Sequence, residues 1–159
     1  MAHEHTATIR WGRGEAVFSD GRYSRAHTWT FDGGVTVPGS PSPAVVPLPY
    51  SREDAVDPEE AFVAAVSSCH MLTFLHIASK KRFVVDTYED RAAGVMTKNE
   101  RGRLYVSRIV LDPTIRFSGE RQPTPDEIAG LHHLAHQECF IANSVLTEIV
   151  VAGMPTDAH

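Results

Sequence analysis

The sequence has only two cysteines in 159 residues, Cys69 and Cys139, seventy positions apart. A structural disulfide between them would persist only in an oxidising compartment. The first residues, MAHEHTATIR, lack the positively charged start and apolar run of a signal peptide, and no stretch of about 18 apolar residues follows. These absences predict a cytoplasmic protein with no membrane partner, whose thiols serve redox chemistry or metal binding. No cluster of lysine or arginine stands out against a formal charge of −5, which argues against nucleic acid and anionic lipid as partners. Internal repeats and low-complexity tracts are also missing. What remains is a chain with 42% hydrophobic residues, enough for one compact domain over 1–159 and too short for two comfortable ones.

Along the chain, HTATIRWGRGEAVFSDGRYSRAHTWTF alternates polar and apolar residues between the turn signals Gly12 to Gly14 and Ser19-Asp20-Gly21. This predicts a three-stranded meander whose third strand, about 22–31, carries Arg25, His27 and Trp29 on one face. Residues 33–57 hold five prolines, at 38, 41, 43, 47 and 49, and the apolar tail AVVPLPY favours an ordered wall or lid. Asp57, Pro58 and Glu60 form a capping-box start for a helix running to Lys80 or Arg82. FVVDTYEDRAAGVMTK and RLYVSRIVLDPTIRF, joined by Asn99 to Gly102, read as a long hairpin. Thr124-Pro125-Asp126-Glu127 repeats the capping pattern for a second helix over about 125–138, which delivers Cys139 at its end. A last strand is expected near 145–152, giving the order βββ-α-ββ-α-β.

The first helix is apolar nearly all round. On a 3.6-residue period Phe62, Ala65, Val66, Cys69, Leu72, Thr73 and His76 share one face, and Val63, Met71, Phe74, Leu75 and Ile77 occupy the others. Such a helix needs cover on every side, which the strands of one short chain supply only in part, so a homodimer is expected. Cys69 alone would be unremarkable, because free cysteine packs as a small hydrophobe. The second thiol, at the end of HHLAHQECFIANS, alters that reading.

Together, DPEEAFVAAVSSC and HHLAHQECFIANS resemble the two motifs of the OsmC/Ohr family of thiol-dependent peroxidases, and the resemblance extends to the RWGRGEAVFSDG segment. It implies an α+β fold, an intertwined homodimer in which two β-sheets wrap central helices, with active sites at the dimer interface. It also implies that Cys69 is the peroxidatic cysteine, that Cys139, with Asn143-Ser144 after it, is the resolving one, and that Glu59 orients an arginine toward the thiolate. The family's arginine has three candidates here, Arg10, Arg13 and Arg25, of which Arg25 is favoured by its strand face with His27 and Trp29. Phe140 stands where the family commonly has proline.

An arginine would be needed for a physical reason. A free thiol with a pKa near 8.5 is only about 3% ionised at pH 7, and a thiolate is required to attack an O–O bond. A guanidinium favours the charged form, and a carboxylate can hold the guanidinium in a bidentate pair. Attack on an organic hydroperoxide would leave a sulfenic acid on Cys69, which Cys139 would convert to a disulfide. No bound cofactor is called for; an external dithiol, of lipoyl type on the family resemblance, would reset the pair. Apolar lining from Phe62, Val66 and Pro47 to Tyr50 would favour alkyl or lipid hydroperoxides. Glu59 lies ten residues before Cys69 on one helix, about 15 Å along the axis, so a glutamate serving that thiol is expected from the partner subunit. Two other functions compete with this one. One is an OsmC-like binding or redox-sensing protein without peroxidase turnover. The other is a zinc site of Cys69, His132, His136 and Cys139, the last three at i, i+4 and i+7 on one helical face. His70 points about 100° away from Cys69 on the helix, so it is not expected to act as its base.

Overall fold

The structure, a computed structural model, describes residues 2–155, which divide into two compact units with the boundary between residues 61 and 62. The first unit holds a three-stranded antiparallel sheet of β1 (Ala7–Arg10), β2 (His27–Phe31) and β3 (Thr36–Gly39), in that order. Pro38 sits in β3, an edge strand of this sheet whose outer side carries only an isolated bridge from Gly39 to Val56; such an edge tolerates a residue that has no N–H to donate. Gly39 is required by close approach, since a Cβ there would lie 2.6 Å from both His27 Nε2 and Trp29 Nε1. The expected meander is therefore built from other segments. Residues 11–26 form no strand, and β3 comes from the start of the proline-rich segment. That segment is tied down by the Ser40 N–H, which donates to the Val56 carbonyl at 3.0 Å, and by the Arg52 N–H, which donates to Ser40 Oγ at 2.8 Å.

Helix α1 (Pro58–Lys80) begins as its sequence predicts. The Asp57 N–H donates to Glu60 Oε1 and the Glu60 N–H to Asp57 Oδ1, both at 2.8 Å. In the second unit β4 (Val84–Asp90) pairs with β7 (Pro113–Ser118), and β5 (Ala93–Lys98) pairs with β6 (Leu104–Leu111). Their registers continue one another, from Val84 opposite Ser118 to Lys98 opposite Leu104. The long hairpin is thus present, but interrupted at Arg91-Ala92 and Asp112. Asp90 marks the break: its carboxylate accepts from the Ser67 hydroxyl of α1 and from the Asp112 N–H at 2.7 Å. Pro113, next in the chain, has no N–H to carry the ladder across. β8 (Glu148–Val151) lies parallel to β6 and completes a β5-β6-β8 sheet. Helix α2 (Pro125–Glu138) carries the Thr124/Glu127 capping box, ends at Cys139, and is followed by a 3-10 turn at Ala142–Ser144.

Two apolar clusters hold this unit. Phe74, Ala78, Phe83, Leu131 and Ala135 join α1, α2 and the β4-β7 pair, and Val66, Ile109, Leu111 and Ile149 join α1 to the β5-β6-β8 sheet. The buried stripe of α1 is Val66, His70, Phe74 and Ala78. It is centred on His70, a phase that a helix apolar nearly all round does not itself select; Leu72, on the face shared with Cys69, is 61% exposed. Only 22% of the most apolar 18-residue window of α1 is buried in this chain, and its mean hydropathy of 1.6 makes the helix apolar enough, by length and composition, to cross a membrane. The count of consecutive apolar residues missed this, because polar residues are dispersed along the helix; core helices of globular folds meet the same measure.

Candidate active site

α1 and α2 bring the two cysteines together. Cys69, midway along α1, is partly exposed, whereas Cys139 is fully buried at the C-terminal cap of α2; both are free thiols. The 3-10 turn wraps Cys139. The Ala142 N–H donates to its sulfur at 3.5 Å, and the Asn143 side-chain amide donates to the Cys139 carbonyl at 3.0 Å and to the Gln137 carbonyl at 2.8 Å. Burial, and next a hydrogen bond to Cys69, push the Cys139 thiol up to about 11. At pH 7 only about one Cys139 in ten thousand is therefore a thiolate. The pair is chemically unequal: one thiol is reachable, and the other is buried and holds its proton against the first.

Beside the thiols lies a feature the sequence reading did not identify. His70 of α1 and His132 of α2 are buried together, Nε2 to Nδ1 at 3.0 Å, with their rings stacked at 5.3 Å and 9°. Phe74 packs on His132 at 4.6 Å. Burial brings His70 down to about 4, helped by repulsion from His132 and His136; burial also brings His132 to about 4, opposed by the Asp90 carboxylate. Both rings are neutral at pH 7. The four-residue spacing of Val66, His70, Phe74 and Ala78 was the available signal. His132 faces His70, so it does not join a ligand set with the cysteines, and no group of three or more His, Cys, Asp or Glu able to hold a metal occurs among the described residues. The zinc reading thus finds no ligand set among the described residues.

In the first unit, Arg25 and Glu59 both line a cavity of about 480 Å³ with Trp11, Phe18, Tyr23 and His27. Arg25 lies before β2, not on a strand. Its guanidinium donates to the carbonyls of Tyr23 at 2.8 Å and Gly21 at 3.2 Å, and lies 4.2 Å above the Tyr23 ring. No ion pair joins it to Glu59 among the described residues. Arg10 is exposed on β1 and Arg13 donates to the Ala16 carbonyl at 2.6 Å; neither lines the cavity. The expected apolar lining also differs. Val66 is core, Phe62 packs against that core, and the proline-rich segment contributes Pro41, Ser42 and Val45 in place of Pro47 to Tyr50. α1 is unbroken from Pro58 to Lys80, so Glu59 and Cys69 are separated by about 15 Å along its axis.

A family model described as OsmC-like protein matches residues 51–152. Among solved structures, the chain is similar to an OsmC-like protein of unknown function from Vibrio cholerae O1 biovar eltor. The two are 54% identical, with a TM-score of 0.92 over 94% of this chain and 98% of that one. It is also similar to an organic hydroperoxide resistance protein from Elizabethkingia anophelis with thiocyanate bound (18% identity, TM-score 0.70, 95% and 94% of the two chains). A Legionella pneumophila organic hydroperoxide resistance protein, OsmC, is 13% identical with a TM-score of 0.64 over 95% of each chain. At those two identities the likeness is one of fold. No curated protein matches the chain in sequence.

Proposed function

The chain belongs to the OsmC-like protein family, and from that premise we propose that it is a thiol-dependent peroxidase acting on organic hydroperoxides. The observation that carries this reading is the unequal thiol pair, a partly exposed Cys69 bonded to a buried, protonated Cys139. The Cys69 thiolate would attack the distal peroxide oxygen. The O–O bond breaks, the alkoxide leaves and takes a proton to become the alcohol, and Cys69 becomes a sulfenic acid. The Cys139 sulfur would then attack the Cys69 sulfur; the S–O bond breaks, and the departing hydroxide takes the Cys139 proton as water. An external dithiol restores both thiols by two exchanges and is itself oxidised to a disulfide, and a cytoplasmic setting would keep it reduced.

Arg25 would favour the thiolate and Glu59 would orient Arg25. They line one cavity of the first unit, and the rise of about 15 Å along α1 between Glu59 and Cys69 supports the reading that both would serve the thiol of a partner subunit in a homodimer. The apolar faces of α1 that this chain leaves uncovered support such a partner. A redox-sensing protein without turnover would share the thiol pair; the Arg25 donors engaged by loop carbonyls favour that second reading. Peroxide consumption by the purified protein separates the two, with dihydrolipoamide or dithiothreitol as reductant and organic or hydrogen peroxide as substrate. Repeated turnover of the organic peroxide is expected; oxidation that stops after one event per chain would favour the sensor.

A further inference from the structure

The cavity that holds Arg25 and Glu59 has an aromatic wall whose geometry carries more than general apolar lining. Trp11, Phe18 and Tyr23 come from the strandless stretch between β1 and β2 and pack on one another: Phe18 stacks on Tyr23 at 4.7 Å and 21°, and Trp11 meets Tyr23 edge-on at 5.5 Å and Phe18 at 6.0 Å. The Trp11 indole N–H, bonded to the Ser24 carbonyl at 2.9 Å, fixes that ring. The Tyr23 ring is already engaged, by Phe18 and by the Arg25 guanidinium at 4.2 Å. Trp11 and Phe18, in contrast, keep 40% and 54% of their surface exposed, on the wall of a cavity of about 480 Å³. An aromatic ring gains by stacking or edge contact with such faces, beyond what its buried area contributes, whereas a saturated ring of the same shape does not.

We propose that Trp11 and Phe18 determine specificity by receiving the organic group of the substrate, and that they select flat, aryl-bearing hydroperoxides over saturated ones. This rests on the peroxidase reading and on the cavity lying at the reacting end of the substrate. Tyr23 is a positioning residue: in contact with both Phe18 and Arg25, it sets where the guanidinium sits relative to the aromatic wall. The ligand's polar end is directed toward Arg25 and Glu59, the two charged groups of the cavity.

The test uses the product alcohols, whose binding does not depend on turnover. Titration calorimetry with the full chain compares 2-phenylpropan-2-ol with its saturated counterpart 2-cyclohexylpropan-2-ol. The hydrophobic effect alone favours the cyclohexyl compound, which is the more apolar of the two; the aromatic wall favours the phenyl compound. The expected result is tighter binding of the phenyl alcohol, by about two- to tenfold, with the order reversed in Phe18→Leu and in Trp11→Leu, which keep apolar bulk but lose the ring face. Tighter binding of the cyclohexyl alcohol to the unaltered protein, or an unchanged order in both variants, overturns the proposal. The same pair of compounds as hydroperoxides gives the activity arm. Ring-selective binding of the alcohols with no consumption of either hydroperoxide would leave the aromatic site standing and refute the peroxidase reading on which its role rests.

Discussion

Lowering the pH through the buried His70–His132 pair should destabilise the protein by an amount the structure sets. Each ring falls from an ordinary value near 6.5 to about 4, so the folded state favours the neutral form while the unfolded chain takes up protons. The stabilisation is complete above about pH 6.5, falls as pH drops from there toward 4, and changes no further below that for this pair. Between about pH 7.5 and pH 5 the loss works out at about 2 kcal/mol per ring, and proton uptake by two ordinary histidines in the unfolded chain caps the total at about 4 kcal/mol. His136 and Asp90 also act on the pair and are shared by the parent and the variant described below. Urea unfolding at fixed chain concentration, at pH 7.5 and 5, reads the difference, and a His70→Gln/His132→Gln variant removes the titrating rings while keeping hydrogen-bonding groups. The variant should lose less stability than the parent over this interval by about 2 to 4 kcal/mol. Equal losses in the two proteins would refute the reasoning.

Three further outcomes follow from the same geometry. Sedimentation at micromolar concentration should show a dimer, because α1 exposes apolar faces in the single chain; a stable folded monomer of 17.5 kDa would contradict this. A mixed dimer of one Glu59→Ala chain and one Cys69→Ser chain should keep about half of the wild-type activity, since its intact Cys69 receives Glu59 from the other subunit. Activity as low as that of the Glu59→Ala homodimer would place both residues in one chain. Thr124→Ala should cost about 1 kcal/mol in chemical denaturation by removing the oxygen that accepts from the Glu127 N–H at 3.2 Å, and an unchanged midpoint would show that this cap contributes nothing.

Local chemistry was the most legible part of the sequence. Both capping boxes, Asp57/Glu60 and Thr124/Glu127, close as their residue types require, because a cap is satisfied within four residues. The hairpin register was legible for a similar reason, with Asn99 and Gly102 closing its turn; its break at Asp90 and Asp112 was not, because it depends on Ser67 of α1. The buried stripe of α1 escaped prediction because a helix apolar on every face has no preferred phase, and only the packing of His70 on His132 fixes one. Residues 11–26 alternate like a strand, yet Trp11, Phe18 and Tyr23 pack on one another in a strandless stretch, and Arg25 lies before β2 rather than on the strand face assigned to it. The thiols were legible as a pair, since each sits on a helix with a clear start, but their inequality depends on burial that only the packed structure supplies.

The most direct measurement of the central claim is the stoichiometry of one reaction. Fully reduced protein, free of other thiols, is mixed with one equivalent of an organic hydroperoxide per chain, and alcohol release and free thiols are counted together. The mechanism predicts one alcohol released and two thiols lost per chain, one alcohol and a sulfenic acid on Cys69 in Cys139→Ser, and neither product in Cys69→Ser. Alcohol release by Cys69→Ser equal to that of the unaltered protein would contradict it.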